Sequence, residues 1–295
     1  MFEKLPEGDG IAAKYPGDLG IETDPAVVFA DGFEELEDVA MDTSSYEQTG
    51  KKWDNAWGMS QVTRDPENVH SGKQAIEITH KQPRSHGAEK RFDPGFDCLF
   101  VRYYMKYVKE YPGCHHTGMA ILGAAPGVNL GNSTGVRPDG RNHFTALVDT
   151  IPPGKNSVSP GPPGYMDIYC YHMDQGRKWG DILFPTGDIQ PAENMGLFGE
   201  HFVPRPNLMA ERGRWYCYEL MVRANTPGER DGRVAFWVDG KLAGDFPNLR
   251  LRSVPTLKAN HIVIVSYSSS KRPNVTHWYD DVVAATSYIG PQAPA

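Results

Sequence analysis

The sequence has no long hydrophobic run and no block of basic residues. Its longest apolar stretch, residues 119–125, falls far short of the ~20 residues that a membrane-spanning helix needs. The formal net charge is -7, whereas binding to nucleic acid phosphates requires clustered Lys and Arg. We therefore expect neither a membrane protein nor a nucleic-acid-binding protein.

Cysteine is also scarce, with four residues at positions 98, 114, 170 and 217. Their spacing fits no zinc-binding pattern. Cys98 and Cys114 flank a predicted extended strand, so we expect them to lie too far apart for a disulfide. Cys170 and Cys217 fall within strand-like runs and are predicted to be small buried hydrophobic residues. The cysteines do not indicate a redox compartment.

Helical patterns are missing as well, since no stretch shows an apolar stripe longer than about two turns. Instead the chain has 31 glycines and 24 prolines, which is typical of many short strands joined by turns. Residues 1–25 lack periodicity and are predicted to form an extended N-terminal segment. Residues 26–291 are predicted to form a single antiparallel β-sandwich of the jelly-roll type.

Ten strands account for most of this prediction, together with one hairpin turn at Asp239-Gly240. Long loops between residues 123–142 and 174–212 are predicted to form walls or lids of a site. The predicted strands are residues 26–30, 74–79, 99–108, 116–122, 143–148, 165–173, 215–223, 233–238, 261–268 and 278–286.

The stretch 165–175 is the most informative strand, because its side chains alternate between two kinds of face. One face is aromatic and polar, which suits contact with a ligand; the other is mostly apolar. A strand with tyrosines that merely face solvent is an equal alternative. The first face carries Tyr165, Asp167, Tyr169 and Tyr171, and the second carries Met166, Ile168, Cys170 and His172.

Four segments together resemble one group of enzymes. They are Ala-Asp-Gly-Phe-Glu-Glu at 30–35, the Trp-Tyr-Cys-Tyr-Glu strand within 214–228, the Trp-Val-Asp-Gly hairpin within 231–240, and residues 277–291. The chain from about 26 to 291 resembles the jelly-roll polysaccharide lyases with a concanavalin-like fold, especially families fourteen and twenty, the alginate and glucuronan lyases. Similar segments occur in non-catalytic sugar-binding sandwiches, so they indicate architecture more than chemistry.

The resemblance implies a concave sheet that holds an acidic polysaccharide, a catalytic Tyr, often a His, and a polar or cationic group on the substrate carboxylate. It implies no cofactor for catalysis, a monomer, and a secreted or periplasmic location, although residues 1–6 lack a signal-peptide pattern. Seventh-family alginate lyases fit poorly. Their Tyr-x-Gln spacing is shorter than that from Tyr171 to Gln175, and residues 84–91 do not match their Arg-Ser-Glu-Leu-Arg segment.

β-Elimination at a uronic acid requires neutralisation of the carboxylate, a base for the C5 proton and an acid for the leaving O4. We expect Tyr171 and Tyr169 to transfer protons. Arg102 and Lys106 share the polar face of strand 99–108, and either could bind the carboxylate or lower a tyrosine pKa. The alternative for both is a solvated outer face.

Histidines 115 and 116 open the next strand, and one of them must point to each face. We expect His116 rather than His115 to reach the catalytic centre, with His115 nearby to bind substrate. A metal site at Cys114-His115-His116 is disfavoured, because adjacent strand residues diverge. The predicted substrate-binding residues are Tyr165, Lys106, His115, Arg91, Gln175 and Trp237, where Trp237 has a packed core position as its alternative.

Acidic residues raise two further expectations. Glu219 lies among apolar neighbours and either binds ligand or pairs with a basic residue. Asp31, Glu34 and Asp281 lie near the first and last strands, which often meet in such sandwiches, and could hold a structural Ca²⁺. Ordinary surface carboxylates are the alternative for these three.

The leading functional prediction is a lyase acting on a uronate-containing polysaccharide. Because the chain is acidic overall, a local basic surface would be required; it is predicted at Arg84, Lys90, Arg91, Arg102 and Lys106. A non-catalytic carbohydrate-binding sandwich and a glycoside hydrolase of the same fold are the alternatives. A retaining hydrolase is disfavoured, because the chain has no Glu-x-Asp-x-x-Glu strand.

Overall fold

Two antiparallel β-sheets packed face to face make up the protein. The computed structural model describes residues 3–36, 52–57, 61–80, 84–153, 158–190, 196–268 and 275–295. The strands are β1 (Val27–Asp31), β2 (Asn55–Trp57), β3 (Gln61–Thr63), β4 (Ala75–His80), β5 (Arg84–Phe96), β6 (Cys98–Tyr107), β7 (His116–Ala124), β8 (His143–Ile151), β9 (Tyr165–Tyr171), β10 (Asp181–Leu183), β11 (Ile189–Gln190), β12 (Trp215–Arg223), β13 (Gly232–Val238), β14 (Lys241–Leu249), β15 (Ala259–Ser268) and β16 (Val275–Ala285).

Each sheet has eight strands. The sheet that we call the back sheet runs in the order β14-β13-β12-β6-β16-β4-β3, with β1 also paired to β16. The front sheet runs in the order β11-β10-β9-β8-β7-β15-β5-β2. All strand pairs are antiparallel, and half of the fourteen pairs join strands that are not consecutive in the sequence, as in a β-jelly roll. The predicted all-β sandwich is confirmed.

Helical structure in the described segments is limited to short pieces. One α-helical turn, α1, covers Leu130–Ser133 there, and 3₁₀ turns occupy Ile11–Lys14, Pro16–Asp18, Ile21–Thr23 and Pro66–Asn68. Among the described residues, no helix has the length and apolar character needed to cross a lipid bilayer.

All ten predicted strands are present, and six observed strands are not among them; the longest of these is the 13-residue strand β5. Its outward residues include charged Glu89 and Arg91, and it contains Gly87 and Pro94, so it lacks the apolar alternation that marks a strand. The Asp239-Gly240 turn between β13 and β14 is confirmed. Both residues have positive φ, 50° and 74°, as a two-residue hairpin turn of type I′ requires.

The core lies between the sheets and takes alternate residues of each strand. On β6 the residues Val101, Tyr103 and Met105 are in it, and on β9 Met166, Ile168 and Cys170 are in it. The predicted inner face of β9 is therefore confirmed. Cys170 and Cys217 are buried, as predicted, and all four cysteines are free thiols.

A second apolar cluster covers the outer face of the back sheet. The N-terminal segment contributes Leu5, Ile11 and Ile21, which pack with Trp237. Trp237 is 1% exposed, and its Nε1 donates a hydrogen bond of 2.8 Å to the Pro6 carbonyl. The prediction that Trp237 stacks on a sugar is wrong, because the N-terminal segment occupies that face.

Arg102 and Lys106 also lie on the outer face of the back sheet. Arg102 is fully buried, where it donates to Asp18 and, over 3.0 Å, to the Asp281 carbonyl. The Lys106 ammonium donates to the Glu67 carbonyl over 2.6 Å. The prediction that these two cations serve the tyrosines of β9 is wrong, since β6 belongs to the opposite sheet.

Glu219 faces Arg102 across the β6–β12 pair. Its carboxylate accepts hydrogen bonds from the backbone N–H groups of Ile289 (2.8 Å) and Gly290 (2.9 Å). Burial raises its pKa to about 7, although these hydrogen bonds and Arg102 oppose the shift. Of the two predicted roles, the geometry favours the structural one, because Glu219 holds the C-terminal segment on the sheet.

The first and last strands do meet, with Asp31 opposite Val282. However, the three predicted calcium ligands bind protein donors: Asp31 accepts from Trp53 Nε1 (2.8 Å), Glu34 from the Lys73 N–H (2.9 Å) and Asp281 from the Ser71 hydroxyl (2.9 Å). No group of three or more His, Cys, Asp or Glu in the described ranges is arranged to hold a metal ion. The structure therefore does not assemble this predicted ligand set.

Arg102→Met should lower the free energy of unfolding by about 3–5 kcal/mol, because it leaves the Asp18 carboxylate unpaired beneath the N-terminal segment. Urea denaturation measures the change. The control is Arg214→Met, which removes an exposed pair with Asp239 and should cost at most about 1 kcal/mol. Equal losses for the two variants would contradict the structural role of Arg102.

The interior also contains a cluster of three histidines, with ring centroids of His80 and His86 4.4 Å apart and those of His80 and His277 6.1 Å apart. Burial, and then the neighbouring histidine charge, lowers the pKa of His80 to about 4 and lowers that of His277 well below its ordinary value. The folded state thus keeps these rings neutral where the unfolded chain, with a His pKa of about 6.5, becomes protonated.

Because the unfolded state then binds more protons, the free energy of unfolding should fall as the pH drops from about 6.5 towards 4. Urea titrations near pH 7 and pH 5 measure this loss, and His277→Phe should reduce it. The matched control is His201→Phe, at an exposed histidine, which should keep the wild-type dependence. The same pH dependence in both variants would exclude the buried cluster as its source.

Candidate active site

Three adjacent strands of the front sheet place polar residues on its outer face. On β9, Tyr169 and Tyr171 face outward, opposite the inner residues Ile168 and Cys170. Strand β8 pairs Asp149 with Asp167, and β7 begins at His116. The residues thus lie on neighbouring strands, where side chains across a pair are about 5 Å apart.

The two tyrosine hydroxyls form a connected pair. The Tyr169 hydroxyl donates to the Tyr171 oxygen over 3.4 Å, and the two rings are nearly perpendicular, with centroids 5.5 Å apart. Two loops add backbone donors: the Gly135 N–H donates to Tyr171 (3.0 Å) and the Gly180 N–H donates to Tyr169 (3.2 Å). The Tyr171 oxygen therefore accepts two hydrogen bonds, and neither of them uses the proton of its own hydroxyl.

The same arrangement gives the Tyr169 hydroxyl the role of hydrogen-bond donor and the Tyr171 oxygen that of acceptor. Burial, and next the adjacent Tyr171, raises the pKa of Tyr169 above its ordinary value, although the Gly180 N–H and the charge of Arg177 oppose the shift. Tyr169 thus stays protonated and serves as a donor to Tyr171. Negative charge that develops on the Tyr171 oxygen would meet two hydrogen-bond donors already in place.

His116 lies beside this pair and is oriented by a buried carboxylate. Its Nδ1 is 2.5 Å from Oδ2 of Asp149, and its ring centroid is 4.6 Å from that of Tyr169. Asp149 is held in turn by the Thr117 and Thr150 N–H groups, at 2.9 and 2.8 Å. Because Nδ1 is occupied, Nε2 is the ring nitrogen free to act on a ligand.

The structure distinguishes the two adjacent histidines. His115 is exposed, with its ring 5.4 Å from that of Tyr267, whereas the His116 side chain is 17% exposed and faces Tyr169. His116 combines a tyrosine neighbour with an orienting carboxylate. His115 lies at the edge of the site, with its ring centroid 4.4 Å from that of His116.

Asp167 lies directly opposite Asp149 and is completely buried. Within the described residues neither of its oxygens meets hydrogen-bond geometry with a donor. Burial, and next the charge of Asp149, raises the pKa of Asp167 well above its ordinary value, although the Ile151 N–H lowers it. Burial thus disfavours the charged form of Asp167, whereas the neighbouring Asp149 carboxylate contacts His116.

Sequence reasoning missed several residues at this site. Asp149 interrupts the apolar run of β8 and could have been noticed as an acidic residue in a buried strand. His143 packs its ring 5.8 Å from that of Tyr171, and burial lowers its pKa. Arg177 lies in the loop after β9 and gives no sequence signal, because its effect on Tyr169 depends on how that loop folds back.

Gln175 is not available to a substrate. It is fully buried, accepts from the His172 N–H over 2.9 Å, and donates to the carbonyls of Arg177 (2.9 Å) and Trp179 (3.1 Å). The predicted binding role is wrong, because Gln175 instead fixes the loop that supplies the Gly180 donor. His172 is in the core, as predicted, and pairs with Asp181 over 3.1 Å.

Two other predicted binding residues share the front sheet but lie far from the tyrosine pair. Tyr165 begins β9, six residues from Tyr171, which corresponds to about 20 Å along a strand. Arg91 is on β5, four strands from Tyr171, or about 19 Å across the sheet. Its guanidinium is 60% exposed and is held by Glu89 through two hydrogen bonds of 3.0 and 3.2 Å.

The predicted basic surface is therefore divided between the two sheets. Arg102 and Lys106 are on the back sheet, while Arg84, Lys90 and Arg91 are on β5 of the front sheet. Lys90 points to the opposite side of β5 from Arg91, towards Asp54 at 3.4 Å. Arg102 and Lys106 therefore do not share a surface with Lys90 and Arg91.

Comparisons with known proteins agree with this architecture. No protein-family model matches the sequence, and no curated protein matches it. The structure is similar to that of alginate lyase Aly36B, solved as a mutant in complex with an alginate tetrasaccharide, with a TM-score of 0.60 and 15% sequence identity over 90% of this chain and 98% of that chain.

Two further solved structures are similar. The marine PL-14 alginate lyase from Aplysia kurodai has a TM-score of 0.59 and 12% identity, over 88% of this chain and 99% of that one. Alginate lyase vAL-1 from Chlorella virus has a TM-score of 0.51 and 11% identity, over 77% and 88%. The chain therefore has the β-jelly-roll fold found in these polysaccharide lyases.

Proposed function

We propose that the protein is a polysaccharide lyase that cleaves a uronic-acid-containing polysaccharide, of the alginate or glucuronan type, by β-elimination. The observation that carries the proposal is the joining of Tyr171, Tyr169 and His116 on one outer face of the jelly roll. The fold shared with alginate lyases is consistent with it. Because such polymers do not cross a membrane, we place the enzyme outside the cytoplasm, secreted or periplasmic.

In this reaction a base removes the proton on C5 of the uronate, a C4–C5 double bond forms, and the C4–O4 bond breaks with its electron pair on O4. His116 takes the C5 proton on Nε2, and Asp149 stabilises the resulting imidazolium through Nδ1. Tyr171 gives its uncommitted proton to O4. The two donors on the Tyr171 oxygen stabilise the phenolate that remains.

The substrate carboxylate must be neutralised before C5 becomes acidic enough to lose its proton. Arg177 is our choice for this role, because its charge already acts on Tyr169 and it lies in the loop beside the two hydroxyls. Its guanidinium makes a long hydrogen bond of 3.4 Å to the Gly180 carbonyl, which a carboxylate could replace. Tyr169 remains protonated and orients Tyr171.

Incubation with alginate, glucuronan and related polyuronates tests the proposal, because the unsaturated product absorbs in the ultraviolet. Absence of this absorbance across the panel would exclude a lyase. New reducing ends without unsaturation would indicate a hydrolase, and saturable binding without any product would indicate a carbohydrate-binding module.

Tyr171→Phe should lower kcat by at least about a hundredfold with little change in KM, because it removes the proton donor and leaves the sheet intact. The initial rate of ultraviolet absorbance measures activity, and thermal unfolding checks the fold. Tyr165→Phe, at the other end of the same strand, is the matched control and should retain wild-type activity. Comparable activity in the two variants would remove Tyr171 from this role.

The adjacent histidines provide a second matched pair. His116→Gln should lower kcat by about a hundredfold or more, since an amide cannot take the C5 proton. His115→Gln should keep kcat within a few-fold of wild type, because His115 lies at the edge of the site. The same rate assay distinguishes them, and a greater loss in the His115 variant would reverse the assignment.

A further inference from the structure

The loop after β9 presents an exposed tryptophan beside the tyrosine pair. Trp179 is 40% exposed, whereas the other five tryptophans, all within the described ranges, are buried or half-buried. An exposed aromatic ring offers a large apolar surface with which a ligand can make contact. The proposed reaction assigns no role to Trp179.

The ring is held in a defined position. A Cβ atom added to Gly135 would lie only 3.0 Å from the Cη2 and Cζ3 atoms of Trp179, so the ring packs directly on this glycine. The Trp179 carbonyl accepts a hydrogen bond from the buried Gln175 amide. One side of the ring is thus covered by protein, and the exposed part faces outward.

This position adjoins the proposed catalytic centre through two backbone contacts. Gly135, on which the ring packs, donates its N–H to Tyr171, and Gly180, the next residue after Trp179, donates its N–H to Tyr169. The ring is therefore continuous with the surface that carries both hydroxyls. A sugar chain that reaches Tyr171 would have its neighbouring residue within contact distance of Trp179.

A cation accompanies the ring. The Nζ atom of Lys178 is 5.0 Å from the ring centroid of Trp179. Lys178 is exposed and makes no ion pair with a carboxylate of the described part of the chain. The ammonium lies over the ring at the end of a flexible, exposed side chain, which can swing aside to meet a carboxylate. An aromatic ring with a movable ammonium then matches a uronate, which has an apolar pyranose face and a carboxylate.

We propose that Trp179 and Lys178 form a subsite that binds one uronosyl residue next to the cleaved bond. The pyranose stacks on the exposed face of Trp179, and its carboxylate pairs with Lys178. The subsite rests on the proposed function for its ligand, but its residues take no part in proton transfer. It therefore contributes to substrate affinity rather than to the chemical step.

Kinetics on the polyuronate that the wild type cleaves best test this subsite. Trp179→Ala should raise KM by roughly three- to tenfold with kcat nearly unchanged, and Trp179→Phe should retain most of the affinity. Lys178→Gln should raise KM and weaken its dependence on salt. The control is Leu19→Ala, at a residue 76% exposed in the N-terminal segment. Unchanged KM in Trp179→Ala, or an equal change in Leu19→Ala, would overturn the proposal.

A binding measurement separates the subsite from the reaction. In the Tyr171→Phe background, migration through native gels containing sodium alginate or glucuronan should be retarded, and the added Trp179→Ala change should relieve the retardation. If the wild type cleaves no polyuronate, the proposed function fails, and this assay decides the subsite alone. Retardation that the Trp179→Ala change relieves supports the subsite. Retardation that persists after the Trp179→Ala change, or no retardation in either polymer, refutes it.

Discussion

The alternation of side chains along β9 is the constraint on which the site depends. Met166, Ile168 and Cys170 fill the space between the two sheets, so Tyr169 and Tyr171 must face outward. A shift of one residue in the pairing with β8 would bury both hydroxyls and expose the apolar set. The core packing that stabilises the front sheet therefore also determines which face can carry chemistry.

Backbone N–H groups from two loops complete what the strand begins. Gly135 and Gly180 come from different loops, yet each donates to one tyrosine hydroxyl. Fixed donors of this kind are already oriented before any substrate arrives, so little reorganisation is needed when charge develops. The buried Gln175 amide has its role here, because it shapes one of the two loops.

Buried charges serve different purposes on the two sheets. On the back sheet, Arg102 and Glu219 bind Asp18 and the backbone of the C-terminal segment, and so hold both termini on the outer face. On the front sheet, burial raises the pKa of Asp167 well above its ordinary value, and the neighbouring Asp149 carboxylate orients His116. Burial alone thus does not identify a functional charge; the partner that the charge contacts does.

The sequence by itself determined the all-β fold and the faces of β9, with Tyr169 and Tyr171 on the outer one, because the two-residue period of a strand is a local property. It could not assign Arg102 or Lys106 to a sheet, since an alternating polar face looks the same on either side of a sandwich. Only the tertiary structure decided that β6 lies in the back sheet, that Asp149 faces His116, and that Trp179 packs on Gly135. His116 and Asp149 are 33 positions apart in the sequence, and Gly135 and Trp179 are 44 positions apart. Such contacts, like the assignment of a strand to one sheet, depend on the global topology, which local patterns do not encode.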